Sequence, residues 1–302
     1  MKIIVGTRGS KLAVTQTNWV LDKLKEKNPS VEFEVKIIKT KGDLIQNVSL
    51  DKIGDKGLFV KEIEQQLIEG EIDMAVHSMK DMPSVLPEGL KFAYSPERED
   101  PRDVLILKQG YTDLDSLPQG AKIATGSKRR KYQLLKVRPD LNIVPIRGNV
   151  DTRMSKIKTE NLDGIVLAAS GVHRVGLQEK ISCYLSTDIM LPAPAQGALA
   201  IEIRKDNQQV EDVVNSLKNE NTKIQIEAER GFLDGIEGSC HIPIGAFCEI
   251  ENDENIKLTG LFGDEEGKKL IKKQIIGTKN NPRELGLELA RIILKEYENH
   301  EG

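Results

Sequence analysis

The chain has 302 residues, 38% of them hydrophobic and 30% charged, with 44 Lys and Arg against 47 Asp and Glu for a formal net charge of −3. That balance excludes a wholesale polycation and an acidic solvating tail, and aromatics at 4% with a single Trp exclude a protein that works by stacking many bases. The length fits about two to three domains of roughly 100 to 200 residues each, enough to bury sizeable cores without staples.

In chain order, Lys2 to Val5 reads as a buried strand and Thr7-Arg8-Gly9-Ser10 as a polar turn. Ser10 can cap a helix whose Leu12, Trp19 and Leu24 lie close to one face. Residues 31 to 39 alternate like a half-buried strand, and Leu58 to Ile68 reads as a helix with Leu58, Ile63, Leu67 and Ile68 as its apolar stripe. A second block, 100 to 190, predicts strands near 103 to 107, 121 to 125, 142 to 146 and 163 to 169, the last three each followed by a helix. Polar crossings that carry prolines, Ser95 to Asp103 and Leu191 to Gly197, read as hinges. From about 217 the pattern becomes a helix through Ala228 to Leu233, strands at 243 to 251, 256 to 262 and 268 to 276, and a terminal helix at 282 to 298. Asn252 to Asn255 reads as a hairpin turn. The class is α/β, with a small α+β end.

The N-terminus turns polar after five residues, too soon for a signal-peptide core, and no run approaches the roughly 18 apolar residues of a membrane span. Three cysteines, Cys183, Cys240 and Cys248, make no disulfide framework. A cytoplasmic protein with no membrane partner is expected.

Charge is segregated along the chain. Residues 121 to 160 hold eleven Lys and Arg against Asp140, Asp151 and Glu160, a local +8 that leaves −11 elsewhere. Arg129 and Arg130 follow one strand, and Arg147 and Arg153 bracket the next strand-to-helix turn. At the carboxyl ends of parallel strands, helix N-termini also present N–H groups to anions, so adjacent carboxylate or phosphate sites are expected. A solvated basic face is the plainer reading of any one turn. Nucleic acid is disfavoured, because Tyr132 is the only aromatic in the segment and no zinc-finger or RNA-binding motif accompanies it.

Two further clusters carry chemistry. The run from Asp73 to Pro83 ends in Ser78, Lys80 and Asp81, where a carboxylate beside a lysine keeps its charge and can stabilise a developing cation. Cys240 lies in a Gly-rich loop beside His241, where a thiol can act as a nucleophile, whereas Cys183 and Cys248 sit in apolar strand-like runs as core residues. Scattered histidines and the lack of a Cys-x-x-Cys pair argue against a metal, and His77 reads as a core or hydrogen-bonded histidine.

The segments GTRGSKLA (6 to 13), KGLFVKEIE (56 to 64), DMAVHSMKDMP (73 to 83), EREDPRD (97 to 103), TGSKRR (125 to 130), RGNVDTR (147 to 153), LAASGVHRVG (167 to 176), LPAPAQGALAIE (191 to 202) and GSCHIPIGA (238 to 246) resemble, in order, the porphobilinogen deaminase (hydroxymethylbilane synthase) family. The resemblance implies two α/β domains of the type II periplasmic-binding-protein kind, residues 1 to 95 with 193 to 213 and residues 100 to 190. A third, α+β domain at 217 to 302 carries the cysteine loop. It also implies a transferase that joins four porphobilinogen molecules head to tail with loss of ammonia, building hydroxymethylbilane for tetrapyrrole biosynthesis. Growth starts on a dipyrromethane cofactor held by a thioether, here at Cys240.

By the same resemblance Asp81 is the catalytic carboxylate, holding the cationic azafulvene-like electrophile left when ammonia departs. Ser10, Lys80, Thr125, Ser127, Arg129, Arg130 and Arg153 are expected on the cofactor, and Arg8, Arg147, Arg153, Arg174, Ser78, Gln196 and Lys56 toward substrate. Lys56 closes a polar stretch, about 43 to 57, expected to cover the cleft. Gly126, Lys128 and His173 depart from the family pattern, where Ser, an apolar residue and Lys are common. A monomer is expected, with room for hand-over of product to the next enzyme. The rival from another class is a non-catalytic two-domain receptor for polycarboxylates, which gives no role to Cys240 or Asp81.

Overall fold

The computed structural model describes residues 1–44, 60–236 and 242–299. By internal contacts the chain forms two compact units, Met1–Glu99 with Ala198–Lys223, and Asp100–Gly197 with Ile224–Gly302.

The first unit begins with β1 (Lys2–Arg8) and α1 (Lys11–Lys27), followed by β2 (Glu32–Ile38), the single turn α2 (Lys41–Leu44), α3 (Lys61–Ile68), β3 (Met74–Ser78) and β4 (Leu90–Phe92). The Ser10 hydroxyl accepts from Ala13 N–H at 3.3 Å and so starts α1, satisfying one of the donors a helix leaves open at its beginning. The buried side of α1 is Gln16, Thr17, Val20, Leu21 and Leu24. Trp19 instead faces outward at 37% exposure, so the stripe expected through Leu12, Trp19 and Leu24 is rotated. Leu24 is five residues beyond Trp19, well off its face at 3.6 residues per turn.

In α3, Ile63 and Leu67 are buried as expected, but Ile68 is 47% exposed and Leu58 lies outside the described residues. Among the described residues β2 pairs with β1 alone, and of its apolar side chains only Ile38 is buried, with Val35 and Ile37 exposed.

The second unit continues with β5 (Asp103–Leu107), β6 (Lys122–Ala124), α4 (Lys128–Val137), β7 (Asn142–Val144), α5 (Val150–Thr159), β8 (Gly164–Ala168), α6 (Ala169–Arg174) and β9 (Cys183–Tyr184). Its sheet order is β7-β6-β8-β5-β9, with β6 parallel to β7 and β8 and with β5 antiparallel to β8. Leu105, Ile123 and Val166 bury one face; Val104, Ile106, Ile165 and Leu167 bury the other. Near-continuous apolar strands of this kind belong to a sheet covered on both sides.

The chain then supplies β10 (Leu199–Arg204) and α7 (Gln208–Asn215) to the first unit. That sheet has the order β2-β1-β3-β10-β4, with β10 antiparallel to β3 and β4. Both units therefore contain a five-stranded mixed sheet with one antiparallel strand inserted between two others, β10 between β3 and β4 and β5 between β8 and β9, and the α/β class holds.

After α8 (Glu220–Gly235) come the antiparallel strands β11 (Ile244–Ile250), β12 (Asn255–Gly263) and β13 (Leu270–Thr278), then α9 (Pro282–Asn299). The Asn252 side chain accepts from Glu254 and Asn255 N–H, both at 2.9 Å, and forms the expected β11–β12 turn. Gly286 has no side chain because α9 meets the α8 backbone at Ala228 there, too close for a Cβ. The β12–β13 turn packs on α4. A Cβ on Gly267, whose φ is +72°, would collide with the Tyr132 ring, while the Tyr132 hydroxyl donates to Glu265 O at 2.8 Å. Tyr132 is therefore a packing residue, consistent with the case against base stacking.

Candidate functional site

In the first unit the ends of β1 and β3 and the start of α1 surround one pocket. Arg8, the last residue of β1, and Ser10, the cap of α1, line it together with Ser78 and Asp81. Asp81 is exposed, in a single 3₁₀ turn, Met79–Asp81, that extends β3. Lys80 lies in the same turn and is half-buried. The turn is pinned by Met79 N–H donating to Ala198 O at 3.0 Å.

Four residues chosen from sequence thus converge on one pocket. Gln16 joins them unforeseen, lining the pocket and donating its amide to the Ser78 hydroxyl at 3.0 Å. A glutamine on the buried side of an amphipathic helix was the available signal. The first turn of α1 borders the same space, and its partial positive charge favours an anionic ligand.

In the second unit Arg129, Arg130, Arg147 and Arg153 sit at or just after the strand-to-helix turns that follow β6 and β7, whereas Arg174 ends α6. Ser127 caps α4, accepting from Arg130 N–H at 3.4 Å, and the Thr125 hydroxyl accepts from Ser127 N–H at 3.2 Å. Asn149 caps α5, and Arg153 Nε donates to Gly148 O at 2.7 Å. Arg147 is half-buried one residue before Gly148, whose φ of +114° suits glycine. Arg174 donates to Gly197 O at 2.6 Å.

Arg129 and Arg130 are buried, and a residue singled out only as part of a motif lies between them. Asp103, fully buried at the start of β5, accepts from Arg129 at 2.7 Å and from Arg130 at 3.1 and 2.7 Å. Arg129 also donates to Leu191 O, and Arg130 to Val166 O. Burial alone would raise the Asp103 carboxyl, but the two guanidiniums outweigh it and hold the group well below the usual carboxylate range. Burial pulls Arg129 below its ordinary value, with Asp103 opposing; arginine stays charged even so. Two cations against one anion leave the cluster net positive. Gln196, fully buried, donates to Asp103 at 2.9 Å and to Pro101 O at 2.7 Å, which ties the 193 to 197 turn to the same carboxylate.

Each departure from the family pattern has local company. A Cβ on Gly126 would come within 3.0 Å of Ile146 O. Lys128 pairs with Glu265 at 3.4 Å, and His173 meets the Tyr184 hydroxyl at 2.8 Å. Lys56, most of the stretch expected to cover the cleft, and the Cys240 loop lie outside the described residues. Cys248 is fully buried and Cys183 partly so. Among the described residues no helix is long and apolar enough to cross a membrane.

Comparison with known proteins agrees with these motifs. Residues 3–212 match the family model described as porphobilinogen deaminase, dipyromethane cofactor binding domain, and residues 223–295 match that of the porphobilinogen deaminase C-terminal domain. The chain is 70% identical to porphobilinogen deaminase of Clostridioides difficile over 302 residues, covering all of both proteins. It is 62% identical to that of Clostridium novyi, across 98% of this chain and 99% of the relative. With that of Bacillus subtilis the identity is 50%, across 96% and 92%. The chain belongs to the porphobilinogen deaminase family.

Proposed function

We propose that the chain carries the activity that names its family, joining four porphobilinogen molecules with loss of ammonia to give a linear tetrapyrrole. The observation that carries this reading is the pocket shared by Asp81, Arg8, Ser10 and Ser78, a carboxylate set among carboxylate-binding groups. Asp81, exposed at the tip of its turn, is available to face the positive charge that develops on a substrate pyrrole as ammonia leaves. Its position on a short rigid turn fixes where that charge is stabilised. Arg8 and Ser10 beside it are suited to hold the acetate and propionate that each substrate ring carries. Arg147, Arg153 and Arg174 are the corresponding groups in the second unit.

The donor set suits a dipyrromethane cofactor. Ser10, Thr125 and Ser127 each use a hydroxyl lone pair on a backbone N–H, which leaves the O–H to donate to an anion. Ser10 and Lys80 in the first unit, and Thr125, Ser127, Arg129, Arg130 and Arg153 in the second, are each suited to a carboxylate of such a ligand, and Cys240 is assigned the thioether. When bound, that group supplies the pyrrole end on which the chain grows. Arg129 and Arg130 keep their orientation through Asp103, so they meet a carboxylate already aimed.

We also infer three domains, with 217 to 302 as the third, and a cytoplasmic monomer that releases its product to a following enzyme. Support comes from the separate antiparallel sheet β11–β13 and from the absence of a membrane-spanning helix among the described residues. The reading is tested by incubating the holoenzyme with porphobilinogen and following ammonia and product mass. One ammonia per porphobilinogen consumed, with a linear tetrapyrrole formed, is expected. Stoichiometric binding without ammonia would make the chain a receptor.

A further inference from the structure

The second unit holds a run of linked side chains that the proposed chemistry does not use. It begins at Asp100, whose carboxylate grips Arg102, accepting from Nε at 3.0 Å and from Nη2 at 2.6 Å. The Arg102 guanidinium lies over the Tyr184 ring, 4.4 Å from its centre. The Tyr184 hydroxyl in turn lies 2.8 Å from His173 Nε2, and the two rings meet edge to face at 5.9 Å. His173 directly precedes Arg174 at the end of α6.

With six residues, α6 is too short to persist on its own hydrogen bonds, so what holds its ends decides where Arg174 stands. At its start, Ala169 N–H donates to Arg102 O at 2.9 Å. At its end Gly176, with φ of +72°, closes the helix: Gly176 N–H donates to His173 O at 2.9 Å and Leu177 N–H to Val172 O at 3.0 Å. Buried Val172 anchors this turn to the core. The His173–Tyr184 contact adds an anchor from β9, where Tyr184 is registered opposite Val104 of β5. Arg102 thus supports α6 twice, through its carbonyl at the helix start and through the tyrosine that reaches the helix end.

We propose that Tyr184 is a positioning residue for substrate binding, its hydroxyl holding His173 so that the last turn of α6 presents Arg174 to a substrate carboxylate. The inference rests on the proposed role of Arg174 toward substrate. Arg174 is the last residue of that turn and donates to Gly197 O at 2.6 Å, so a shift of the turn redirects a guanidinium already tethered at one point. Pairing of a guanidinium with a carboxylate depends on direction as well as distance. Loosening the turn lowers the fraction of molecules in which Arg174 is aimed, and the apparent affinity falls by that fraction.

The test uses the holoenzyme with porphobilinogen as substrate. Tyr184→Phe keeps the ring under Arg102 and removes only the hydroxyl. Its KM should rise about 3-fold or more with kcat changed less than about 2-fold. Its Tm should stay within about 2 °C of wild type, because the residue is 39% exposed. His173→Ala should match it, and His173→Gln, whose amide can meet the same hydroxyl, should restore a wild-type KM. In an Arg174→Gln background, Tyr184→Phe should raise KM no further.

A wild-type KM in Tyr184→Phe would overturn the proposal. So would a KM rise that persists in the Arg174→Gln background, or a loss of kcat and Tm alongside the rise in KM, the mark of a merely structural role. Failure of the Arg174 assignment is separable: Arg174→Gln would then itself show a wild-type KM, whereas loss of the Tyr184 role alone leaves Arg174→Gln impaired.

Discussion

The fully buried Glu229 carboxylate accepts the backbone N–H of Ala195 at 2.6 Å, and its other oxygen accepts that of Cys248 at 2.9 Å. Ala195 has φ of +59°, a left-handed conformation that costs a residue with a Cβ about 1 to 2 kcal/mol. One carboxylate of α8 thereby holds a strained turn and the first strand of the last sheet together. Glu229→Ala leaves two buried N–H groups unpaired and should cost about 2 to 5 kcal/mol. Ala195→Gly should keep or raise stability. Thermal or denaturant unfolding of both variants checks the pair, and a Glu229→Ala variant with wild-type stability would remove the carboxylate from this role.

Asp103→Asn should be far more damaging than an average substitution, at about 3 to 5 kcal/mol, because it strips a buried charge from two buried guanidiniums. The folded-state pKa of Asp103 is depressed, so its contribution is full above the ordinary carboxyl range and is lost as pH falls below about 4. Unfolding curves of wild type and variant should therefore converge in acid and diverge toward neutrality. Parallel curves from about pH 2 to pH 7 would show that the carboxylate is not the source.

Asp81→Asn tests the chemistry with little structural risk. The side chain is exposed, and surface changes of this kind move stability by about 0.5 kcal/mol or less. Turnover should fall by about 100-fold or more while fold and bound cofactor persist. Near-normal ammonia release would assign charge stabilisation to another group.

Intact mass tests the attachment point. The purified holoenzyme should exceed its sequence mass by two pyrrole units, and Cys240→Ser should match the bare chain. Active protein of unmodified mass would exclude the thioether at Cys240.

Arg129→Lys keeps the charge but removes the planar guanidinium, whose Nη1 donates to both Asp103 and Leu191 O. Cofactor content should drop even though the net charge is unchanged. Full loading in that variant would mean that charge alone suffices.

Much of this was legible in the sequence, for identifiable reasons. Ser10 and Ser127 stand where a strand hands over to a helix, and both cap. Arg129 and Arg130 were legible as cations at a strand end. Their burial was not, because Asp103 is more than twenty residues upstream and becomes a partner only when β5 enters the sheet beside β8. Glu229 was equally hidden: it binds backbone N–H groups, which every residue offers, so no residue type marks the far end of the contact. Trp19 faces outward although it is apolar, because the inward side of α1 includes Gln16 and Thr17. The Thr17 hydroxyl lies 2.8 Å from that of Thr7 and joins α1 to β1.

The Tyr132 ring over Gly267 also bears on where this protein can be labelled or fused. By composition, Asp264-Glu265-Glu266-Gly267 is the sort of acidic surface turn into which an epitope or fluorophore site would be inserted. Here that turn supports the helix that carries Arg129 and Arg130, and even a single added methyl group at 267 collides with the ring. A fusion point at Asp253, in the preceding hairpin turn, spares that contact, so the two turns of one small sheet differ sharply in the engineering they tolerate.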